Sequence, residues 1–534
     1  MRVANLSAIF VLCLAAGSVG RAQAPSPASA PAAARHLKQV AYLKASNPHA
    51  NDHFGDGGTL LGHGVALSGD GSTLAVAAPG ESSNAKGING NQNDTSLYNA
   101  GAVYIFTRVN NAWTQQAYIK ASNPGQSYRF GHFVSLSQDG NTLAVSAFFE
   151  ASAAKGINGD QNDKSIPQAG AVYVFTRTGT SWSQQAYVKA SNTGQAGVGN
   201  EPGEGDQFGF SIGLSADGNT LAVGAIGEDS GAKGINGDQN DNSQMGSGAV
   251  YVYTRTGTTW SQQAYVKQSN TDANDLFGYA VGLSADGNTM AVSAYDEDSS
   301  SRVINGPMDR GRRGSGAIYV FTRTGAAWAQ TAYLKASNAE AGDSLGYDMA
   351  ISQDGNTIVG GAGDEDCFSP GINPPGCDND VKLDSSTGAV YVFVRNAGTW
   401  TQQAFIKSSH PGKEDWFGSR LNLSGDGDTL AVGAQLENGG SKGINGKQDD
   451  LSAEDSGALY LFTRSGATWT QQAYVKGTNT EAYDEFGSSM ALSKDGKLIA
   501  IGARGEASAA KGLNGNQNDN SAMGSGAVYI FTNQ

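Results

Sequence analysis

A loop rich in hard oxygen ligands recurs along this chain. One copy, GAKGINGDQNDNS, places Asn236, Asp238, Asn240, Asp241 and Asn242 within seven positions. Near copies read NAKGINGNQNDTS, AAKGINGDQNDKS and AAKGLNGNQNDNS. Carboxylate and amide oxygens are the ligands that calcium takes in proteins, but Asn and Asp are also common in turns. The loop is therefore either a repeated cation site or a turn that recurs because the fold repeats.

The loop follows only part of the pattern of a calcium-binding loop. Asp238, Asn240 and Asn242 match its first half, but Ser243 replaces the required glycine and no glutamate stands at the twelfth position. The part that recurs best, G-[IL]-N-G-x-Q, is turn chemistry. We therefore predict chiefly a structural turn that requires no cofactor, with Ca²⁺ binding as the alternative. The calcium alternative uses Glu81, Asn91, Asn93, Asp94, Glu228, Asp238, Asn240, Asp241, Asn242, Glu506, Asn516, Asn518 and Asp519.

A glutamate recurs in each of seven repeats, three residues after the alanine that ends an apolar run. These glutamates are Glu81, Glu150, Glu228, Glu297, Glu365, Glu437 and Glu506. Lysines five residues further on are natural partners for an ion pair. They are Lys86, Lys155, Lys233, Lys442 and Lys511. We predict an ion pair or a loop hydrogen bond within each repeat, with metal ligation as the alternative.

Residues that could catalyse a reaction are scattered. The six histidines are His36, His49, His53, His63, His132 and His410. His63 and His132 stand shortly before equivalent valines, which indicates packing or surface positions. The chain contains no nucleophile elbow, zinc-spaced histidine set or phosphate loop. Paired carboxylates could serve a glycosidase, but any acidic loop supplies them. A binding protein is therefore favoured over an enzyme.

Composition narrows the class of protein. The 534 residues include 74 glycines and 39% hydrophobic residues, and the net charge is −14. This charge argues against nucleic acid or an anionic membrane as the partner. Arg2, followed by the apolar LSAIFVLCLAAG, predicts a secretion signal over 1–24, cut between 20 and 24, and a Pro/Ala linker over 25–35. The apolar stretch is too short to cross a bilayer, so we expect an extracellular or periplasmic protein without membrane insertion.

Two cysteines remain after the signal is removed. Cys367 and Cys377 lie in one loop, CFSPGINPPGC. An even number of cysteines in a secreted protein predicts a disulfide. Closing a loop of this size contributes about 2–3 kcal/mol at best. We expect a clamp for the loop, because no histidine or further cysteine lies nearby in sequence.

Four strand-like segments recur seven times. The third segment, GAVYVF with small changes, begins at Gly101, Gly170, Gly248, Gly316, Gly388, Gly457 and Gly526. Segments such as FGFSIGLS and TLAVGA precede it, and WSQQAYVKAS or a variant follows it in the first six repeats. Enrichment in Val, Tyr, Phe and Thr between Gly and Asn turns predicts short strands and no helices. The middle segments are apolar throughout, as in sheets covered on both faces.

The repeat count predicts an all-β, seven-bladed β-propeller over residues 36–534, with four-stranded antiparallel blades. The last repeat lacks a fourth strand. The residues before the first repeat, HLKQVAYLKAS, supply a fourth strand with no blade of its own. Pairing of residues 38–46 with 526–532 would complete the last blade, close the ring and leave no bare edge.

The alternation of FG and GA segments resembles the FG-GAP repeat, the blade unit of the integrin alpha-chain propeller and of many secreted bacterial proteins. Phe54–Gly55 and the AAPG at 77–80 match it best. The resemblance covers residues 36–534 and implies the fold, whereas propellers host many activities. In integrins, calcium sits in an extended acidic loop between the first two strands of some blades. Here that segment is short, as in SADGNT, so its aspartate is expected to be a turn residue.

Loop lengths predict where a ligand binds. The turns between strands one and two and between strands three and four are short and share one face, whereas the long loops share the other. Binding is expected on the long-loop face. Repeats four and five depart most from the consensus, so specificity is expected in their loops. The residues concerned are Asp296, Glu297, Asp298, Asp309, Arg310, Arg312, Arg313, Asp364, Glu365 and Asp366.

The sequence therefore predicts a secreted, monomeric, non-catalytic binding or adhesion module. Its ligand is expected to be an extracellular protein or a glycan, and no nucleic acid partner is expected. The alternative is a propeller hydrolase or lyase that acts on an extracellular polysaccharide.

Calcium binding by the loops can be tested by thermal melting. Each loop offers few carboxylates, so its affinity would be weak, with a Kd of about 10⁻⁴ to 10⁻³ M. Calcium that binds only the folded chain raises Tm by mass action. Asp241→Ala and Asp519→Ala should remove that rise. An unchanged Tm of the parent chain in calcium and in chelator would leave the loop as a turn only.

Overall fold

A computed structural model describes residues 36–57, 62–194, 205–377 and 385–533. The predicted secretion signal and linker lie outside these residues. All regular elements of the described residues are β-strands, as predicted. None of the described residues forms a helix long and apolar enough to span a bilayer.

Seven antiparallel sheets of four strands form the blades. The first strand, β1 (Leu37–Leu43), belongs to blade 7. Blade 1 contains β2 (Val65–Leu67), β3 (Thr73–Ala78), β4 (Ala102–Val109) and β5 (Ala112–Ile119). Blade 2 contains β6 (Val134–Leu136), β7 (Thr142–Ala147), β8 (Ala171–Thr178) and β9 (Ser181–Val188). Blade 3 contains β10 (Phe208–Leu214), β11 (Thr220–Ala225), β12 (Ala249–Thr256) and β13 (Thr259–Val266).

The remaining blades repeat this order. Blade 4 contains β14 (Val281–Leu283), β15 (Thr289–Ala294), β16 (Ala317–Thr324) and β17 (Ala327–Leu334). Blade 5 contains β18 (Met349–Ile351), β19 (Thr357–Ala362), β20 (Ala389–Asn396) and β21 (Thr399–Ile406). Blade 6 contains β22 (Arg420–Leu423), β23 (Thr429–Ala434), β24 (Ala458–Ser465) and β25 (Thr468–Val475). Blade 7 contains β26 (Phe486–Leu492), β27 (Leu498–Ala503) and β28 (Ala527–Asn533), with β1 as its outer strand.

The first strand of most blades is shorter than the sequence predicts. Only β10 and β26 have seven residues, whereas the other five first strands have three or four. The glycine of each FG pair adopts a left-handed φ of 91° to 102°, both inside the longer strands β10 and β26 and before the shorter ones. The space is also restricted: a Cβ on Gly278 would lie 2.7 Å from the carbonyl oxygen of Ala249. Glycine is therefore required there.

Neighbouring blades meet through the FG and GA segments. The second and third strands are almost entirely buried, as predicted for sheets covered on both faces. Within blade 3, the Phe208 ring packs edge-on against Tyr251 and Tyr253, with ring centroids 5.5 and 6.1 Å apart, whereas its N–H donates to the carbonyl of Ala169 in blade 2 at 3.1 Å. A Cβ on Gly248 would lie only 2.1 Å from the carbonyl oxygen of Phe277 in the next repeat. The GA glycine therefore allows the FG segment of the following blade to approach.

A circle of backbone hydrogen bonds joins all seven blades on the short-turn face. Each N–H donates to the carbonyl of the equivalent residue in the next blade, at 2.8 to 3.0 Å. The circle runs through Gly69, Gln138, Ala216, Ala285, Gln353, Gly425 and Lys494, and the last residue donates back to the first. The innermost strands pack against one another around the axis. The ring is therefore closed at its centre.

The ring is closed a second time by the two ends of the propeller. Strand β1 pairs antiparallel with β28, from Leu37 opposite Asn533 to Leu43 opposite Val528. The predicted pairing of residues 38–46 with 526–532 is confirmed. Blade 7 thus gains its outer strand from the start of the propeller, and the β28 edge is covered.

A buried ion pair joins the strands of every blade. The repeated glutamate contacts the lysine that follows strand four, with Nζ–Oε2 distances of 2.6 to 3.0 Å in six blades. The pairs are Glu81–Lys120, Glu150–Lys189, Glu228–Lys267, Glu297–Lys335, Glu365–Lys407, Glu437–Lys476 and Glu506–Lys44. The prediction that lysines of the long loops are the partners was wrong, because the loops carry those lysines to the surface. The exposed lysines are Lys86, Lys155, Lys233, Lys442 and Lys511.

The glutamate also receives hydrogen bonds from its own blade and from the preceding one. In blade 3, Tyr265 Oη donates to Glu228 Oε1 at 2.8 Å, and Asn192 Nδ2 of the preceding repeat donates to the same oxygen at 3.2 Å. Lys267 Nζ donates to Glu228 and to Ser247 Oγ, at 3.0 and 2.7 Å. Burial lowers the pKa of Lys267, and the charge of Glu228 opposes this effect. The carboxylate therefore links two blades as well as several strands.

A second buried carboxylate lies near the ion pair in six repeats, two residues before FG. The residues are Asp52, Asp206, Asp275, Asp343, Asp415 and Asp484. The Asp275 carboxylate accepts the N–H of Asp272 at 2.9 Å. Burial, assisted by the charge of Glu228 or Glu297, raises the pKa of Asp206 and of Asp275 to about 8. Burial likewise raises the pKa of the other four aspartates to about 7.

Removing one partner of the closing ion pair should destabilise the propeller. Lys44→Met leaves the buried Glu506 carboxylate uncompensated, and we expect the free energy of unfolding to fall by about 3–5 kcal/mol. The double variant Lys44→Met/Glu506→Gln should recover most of this loss, because no buried charge remains. Lys86→Met, at an exposed position, serves as the control. Denaturant unfolding measures all four proteins, and equal stability of the single and double variants would contradict the prediction.

The buried aspartates make stability depend on pH. Each has a folded pKa above the usual value for aspartate, about 3.9, so the folded chain holds the proton more tightly than the unfolded chain. The stabilisation is complete below about pH 4 and is lost as pH rises through about 7 to 8. We expect Tm to fall between about pH 5 and about pH 8.5. Asp206→Asn/Asp275→Asn should flatten this slope, whereas a parent Tm that is constant or rises would refute the assignment.

Candidate functional site

The repeated Asn/Asp loop folds against the outer strand of its own blade. In blade 3, Ile235 forms a β-bridge with Val266 at the end of β13. The N–H of Asn236 donates to the carbonyl of Tyr265 at 2.8 Å, and Asn236 Oδ1 accepts the N–H of Tyr265 at 2.9 Å. Asn236 adopts a left-handed φ of 55°, which asparagine tolerates. The loop therefore covers an edge strand that would otherwise be open to pairing.

The glutamine of the same loop reaches the preceding blade. Gln239 Oε1 contacts Ser191 Oγ, and the carbonyl oxygen of Gln239 accepts Asn192 Nδ2 at 2.8 Å. In blade 1 the carbonyl oxygen of Gln92 likewise accepts Asn47 Nδ2 at 2.9 Å. These contacts explain why G-[IL]-N-G-x-Q recurs: asparagine binds the blade's own edge and glutamine binds the neighbour. The loop has the structural role that the sequence predicts.

The residues proposed for calcium are used mainly inside the loops. Asp241 accepts the N–H groups of Gly231 and Ser243, both at 3.0 Å, and Asp94 and Asp519 accept equivalent bonds. Glu81, Glu228 and Glu506 lie in the buried ion pairs. The exposed members are Asn91, Asn93, Asp238, Asn240, Asn242, Asn516 and Asn518. Among the described residues, the carboxylates of blade 3 do not all converge within 4.8 Å. Calcium binding stays a prediction.

The loops of blades 4 and 5, in which specificity is predicted, are held largely by their own contacts. Asp309 accepts the N–H of Ser300 at 2.6 Å. Arg310 pairs with Asp272 of the neighbouring loop. Glu297 and Glu365 lie in the buried ion pairs. The other predicted residues, all in the same two loops, are Asp296, Asp298, Arg312, Arg313, Asp364 and Asp366. A role in specificity remains a prediction for this sector.

The disulfide between Cys367 and Cys377 is confirmed, with Cα atoms 5.4 Å apart. It borders a cavity of about 480 Å³ whose lining includes Glu340, Asp343 and the exposed Phe368. The two sulfurs also lie near Glu365. Disulfide sulfurs are not thiolate ligands, so this group is a loop clamp rather than a metal site.

The seven repeats differ most where the chain enters the propeller axis on the long-loop face. We call this region the axial mouth: the residue before each FG, the first residue after it, and the residue after the GA alanine. The residues before FG are His53, Arg129, Gln207, Leu276, Ser344, Trp416 and Glu485, with left-handed φ values of 51° to 59°. Seven residue types thus occupy one unfavourable backbone position. Strained non-glycine residues of this kind cluster at functional sites.

Aromatic rings form a continuous arc on one side of the axial mouth, from blade 2 to blade 6. The ring centroids of Phe148 and Phe210 are 5.8 Å apart, and those of Phe210 and Tyr279 are 5.0 Å apart. Tyr347 continues the arc, 5.5 Å from Tyr279 and 6.0 Å from Trp416. Two more rings, Phe149 and Tyr295, pack against the arc and are partly exposed. Phe148, Phe210 and Tyr279 are buried and packed together, whereas Tyr347 and Trp416 are partly exposed and offer rigid rings with a polar group at the mouth.

Charged side chains occupy the other side of the axial mouth. Arg504 forms a fork with Glu485, with Nε–Oε2 and Nη2–Oε1 distances of 2.6 and 2.9 Å, and lies 3.8 Å from Asp56. Burial lowers the pKa of Arg504, but both carboxylates raise it, and the net shift is upward. Arg129 lies over the ring of Phe149 at 5.5 Å. This group therefore joins blades 7, 1 and 2 at the mouth.

A histidine and an aspartate meet across the axis. His63 Nε2 lies 3.0 Å from Asp348 Oδ1, although the residues belong to blades 1 and 5. Asp348 Oδ2 accepts the N–H of Leu421 at 2.7 Å. His132 is fully buried against Phe148, and burial lowers its pKa to about 3, so this imidazole is neutral. A cavity of about 270 Å³ lies along the axis beside the His63–Asp348 pair. The pair thus bridges the central channel.

Sequence reasoning missed most of the axial mouth. It predicted packing or surface positions for His63 and His132, which is confirmed for the fully buried His132, and it did not single out Arg504, Glu485 or Trp416. A comparison of equivalent positions among the seven repeats contained the signal, because the position before FG differs in every repeat. These seven positions lie near one another only because the ring closes.

Comparison with known proteins places four segments in the FG-GAP repeat family: residues 113–175, 260–321, 400–462 and 469–531. Each segment begins in the fourth strand of a blade and ends in the third strand of the next. Strand β1 fits the same arrangement. It is a fourth strand that precedes the first three strands of blade 1 in the chain. No curated protein sequence matches the chain.

Solved structures with a similar fold are distant. The periplasmic gluconolactonase PpgL of Pseudomonas aeruginosa is 13% identical over 84% of this chain and 98% of that chain, with a TM-score of 0.44. The Cps50 (Swd1) beta-propeller domain of Myceliophteria thermophila is 9% identical over 93% and 100%, with a TM-score of 0.46. Hydrazine synthase of Kuenenia stuttgartiensis is 12% identical over 83% and 93%, with a TM-score of 0.43. These values carry no argument about function.

Proposed function

Because this chain contains four matched FG-GAP repeats and is built as a seven-bladed propeller, we propose that it is a secreted, non-catalytic binding or adhesion module. Its ligand, an extracellular protein or a glycan, binds at the axial mouth. One observation carries the proposal: a framework repeated seven times surrounds a mouth whose residues differ from blade to blade. A framework needs identical contacts, whereas recognition of one asymmetric ligand needs different ones.

The chemistry of the mouth supports binding. Tyr, Trp and Arg are the residue types enriched at binding hot spots, and the mouth contains Tyr295, Tyr347, Trp416, Arg129 and Arg504. Their backbones are held by the packed blades, so little ordering is needed when a ligand binds. The aromatic arc and the charged group lie on different sides of the axis, so the mouth offers a ligand one apolar side and one charged side.

Other features support the proposed location and oligomeric state. The Cys367–Cys377 disulfide supports an oxidising compartment, which agrees with secretion. The covered β28 edge and the edge-guarding loops support a monomer, since they oppose strand pairing between copies.

The second candidate is a propeller hydrolase or lyase that acts on an extracellular polysaccharide. The His63–Asp348 contact favours it, because a histidine oriented by a carboxylate is the arrangement of a general base. His63 is 12% exposed, so little of its imidazole meets solvent. The binding function therefore takes precedence.

The proposal is tested with variants that remove a mouth side chain and keep its backbone. Trp416→Asn retains a residue that tolerates the left-handed conformation, and Val109→Ala alters an exposed side chain on the short-turn face as the control. The parent chain is first screened on a glycan array and on a panel of purified extracellular proteins. For the ligand found, Trp416→Asn should weaken binding by about tenfold or more, and the control by less than about twofold.

Two results would overturn the binding proposal. The first is equal binding by parent and Trp416→Asn when both have the same Tm. The second is cleavage of a polysaccharide by the parent, measured as new reducing ends or unsaturated products, and its loss in His63→Asn. The second result would establish the enzymatic candidate.

A further inference from the structure

A cavity of about 430 Å³ opens beside the axial mouth where blade 7 meets blades 1 and 2. Its lining includes His53, Asp56, Tyr98, Arg129, Glu485 and Arg504, and we call it the seam pocket. Its volume lies in the range of small-ligand pockets. The predicted specificity loops of blades 4 and 5 contribute none of these residues.

The charges of the seam pocket cancel. Arg504 is shared between Glu485 and Asp56, and Arg129 supplies a second positive charge. Burial lowers the pKa of His53, so its imidazole is uncharged at neutral pH. An anionic ligand would meet two carboxylates there, and a cationic ligand would meet two guanidinium groups. The pocket therefore suits an uncharged ligand with many hydrogen-bonding groups.

The backbone of the seam pocket is fixed before any ligand arrives. Asn51, His53, Asn99, Arg129 and Glu485 have left-handed φ values of 51° to 63°. Backbone hydrogen bonds hold this conformation: the N–H of His53 donates to Gly524 at 2.9 Å, and that of Arg129 donates to Asn99 at 3.0 Å. Side chains on such a backbone keep their donors and acceptors in place, which lowers the entropy lost on binding.

An aromatic ring stands at the rim of the seam pocket. Tyr98 is 62% exposed, although its carbonyl accepts the N–H of Ser127 at 2.9 Å. A flat exposed ring beside fixed polar side chains matches a sugar, which presents an apolar C–H face and an edge of hydroxyl groups. Arg504 and Glu485 bind each other and are 22% and 16% exposed. A guanidinium has five N–H donors and a carboxylate about four acceptor positions, so this pair can bond hydroxyl groups in addition to each other.

We propose that the seam pocket binds a neutral sugar residue of a glycan, with the ring stacked on Tyr98 and the hydroxyl groups bonded to the partly exposed Arg504–Glu485 pair. This inference rests on the proposed binding function and names the ligand class.

The experiment measures binding of four immobilised oligosaccharides to the full chain. Cellotetraose and maltotetraose are neutral, tetragalacturonate is anionic, and the tetramer of chitosan is cationic. We expect binding of at least one neutral oligosaccharide and a loss of about tenfold or more in Tyr98→Ala, which removes the stacked ring. Met523→Ala, at the equivalent exposed position of blade 7, should change affinity by less than about twofold.

A second variant tests the charge balance. Glu485→Gln leaves the pocket with a net positive charge, so binding should shift from the neutral oligosaccharides towards tetragalacturonate. Melting of each variant verifies the fold. A parent that prefers a charged oligosaccharide, or Tyr98→Ala that binds as the parent does, would overturn the neutral-sugar assignment.

The failures of the two proposals are distinguishable. Glycan binding that Trp416→Asn weakens and Tyr98→Ala does not would leave the binding function in place and overturn the seam pocket. Binding only of an extracellular protein would have the same meaning. Polysaccharide cleavage that depends on His63 would overturn both.

Discussion

Closure of the ring is the constraint on which the rest of the structure depends. Seven sheets meet at one axis, where backbone hydrogen bonds run from Gly69 around to Lys494 and back. Because each blade must fit two neighbours in the same way, the contacts between blades recur in every repeat. The FG phenylalanine and the GA glycine recur for this reason, and β1 must leave the start of the chain to complete blade 7.

Most of the residues that suggest chemistry in the sequence make structural contacts within the closed ring. Glu228 and Lys267 stabilise the junction of strands within a blade and the contact with Asn192 of its neighbour. Asn236 accepts a hydrogen bond from the outer strand and covers its edge, and Asp241 accepts a hydrogen bond within the loop that positions Asn236. A buried charge is tolerated only where partners surround it, so these polar groups stand in repeated networks. The repeats are rich in Glu, Lys, Asn and Asp because every blade needs the same polar contacts.

The residues of the axial mouth are not repeated from blade to blade. Several of them contact the neighbouring blade through a contact that is not repeated in all seven blades, such as Phe210 with Tyr279 and Arg504 with Asp56. An aromatic arc ending at Trp416 and a charged group around Arg504 have arisen on this regular frame. The division between frame and mouth links the fold to a binding function, since recognition of one asymmetric ligand needs contacts that differ from blade to blade.

The sequence alone determined the seven blades, the four strands of each, the closing pair of strands and the disulfide, because these follow from repeat spacing and local patterns. The length of the first strand was not determined in this way, since β10 and β26 include the FG pair and the other five first strands begin after it. Only the tertiary structure decided that Glu81 binds Lys120 rather than Lys86, that His63 meets Asp348, and that Arg504 lies beside Asp56. Contacts of this kind depend on which strand ends ring closure brings together, and no local spacing in the chain contains that information.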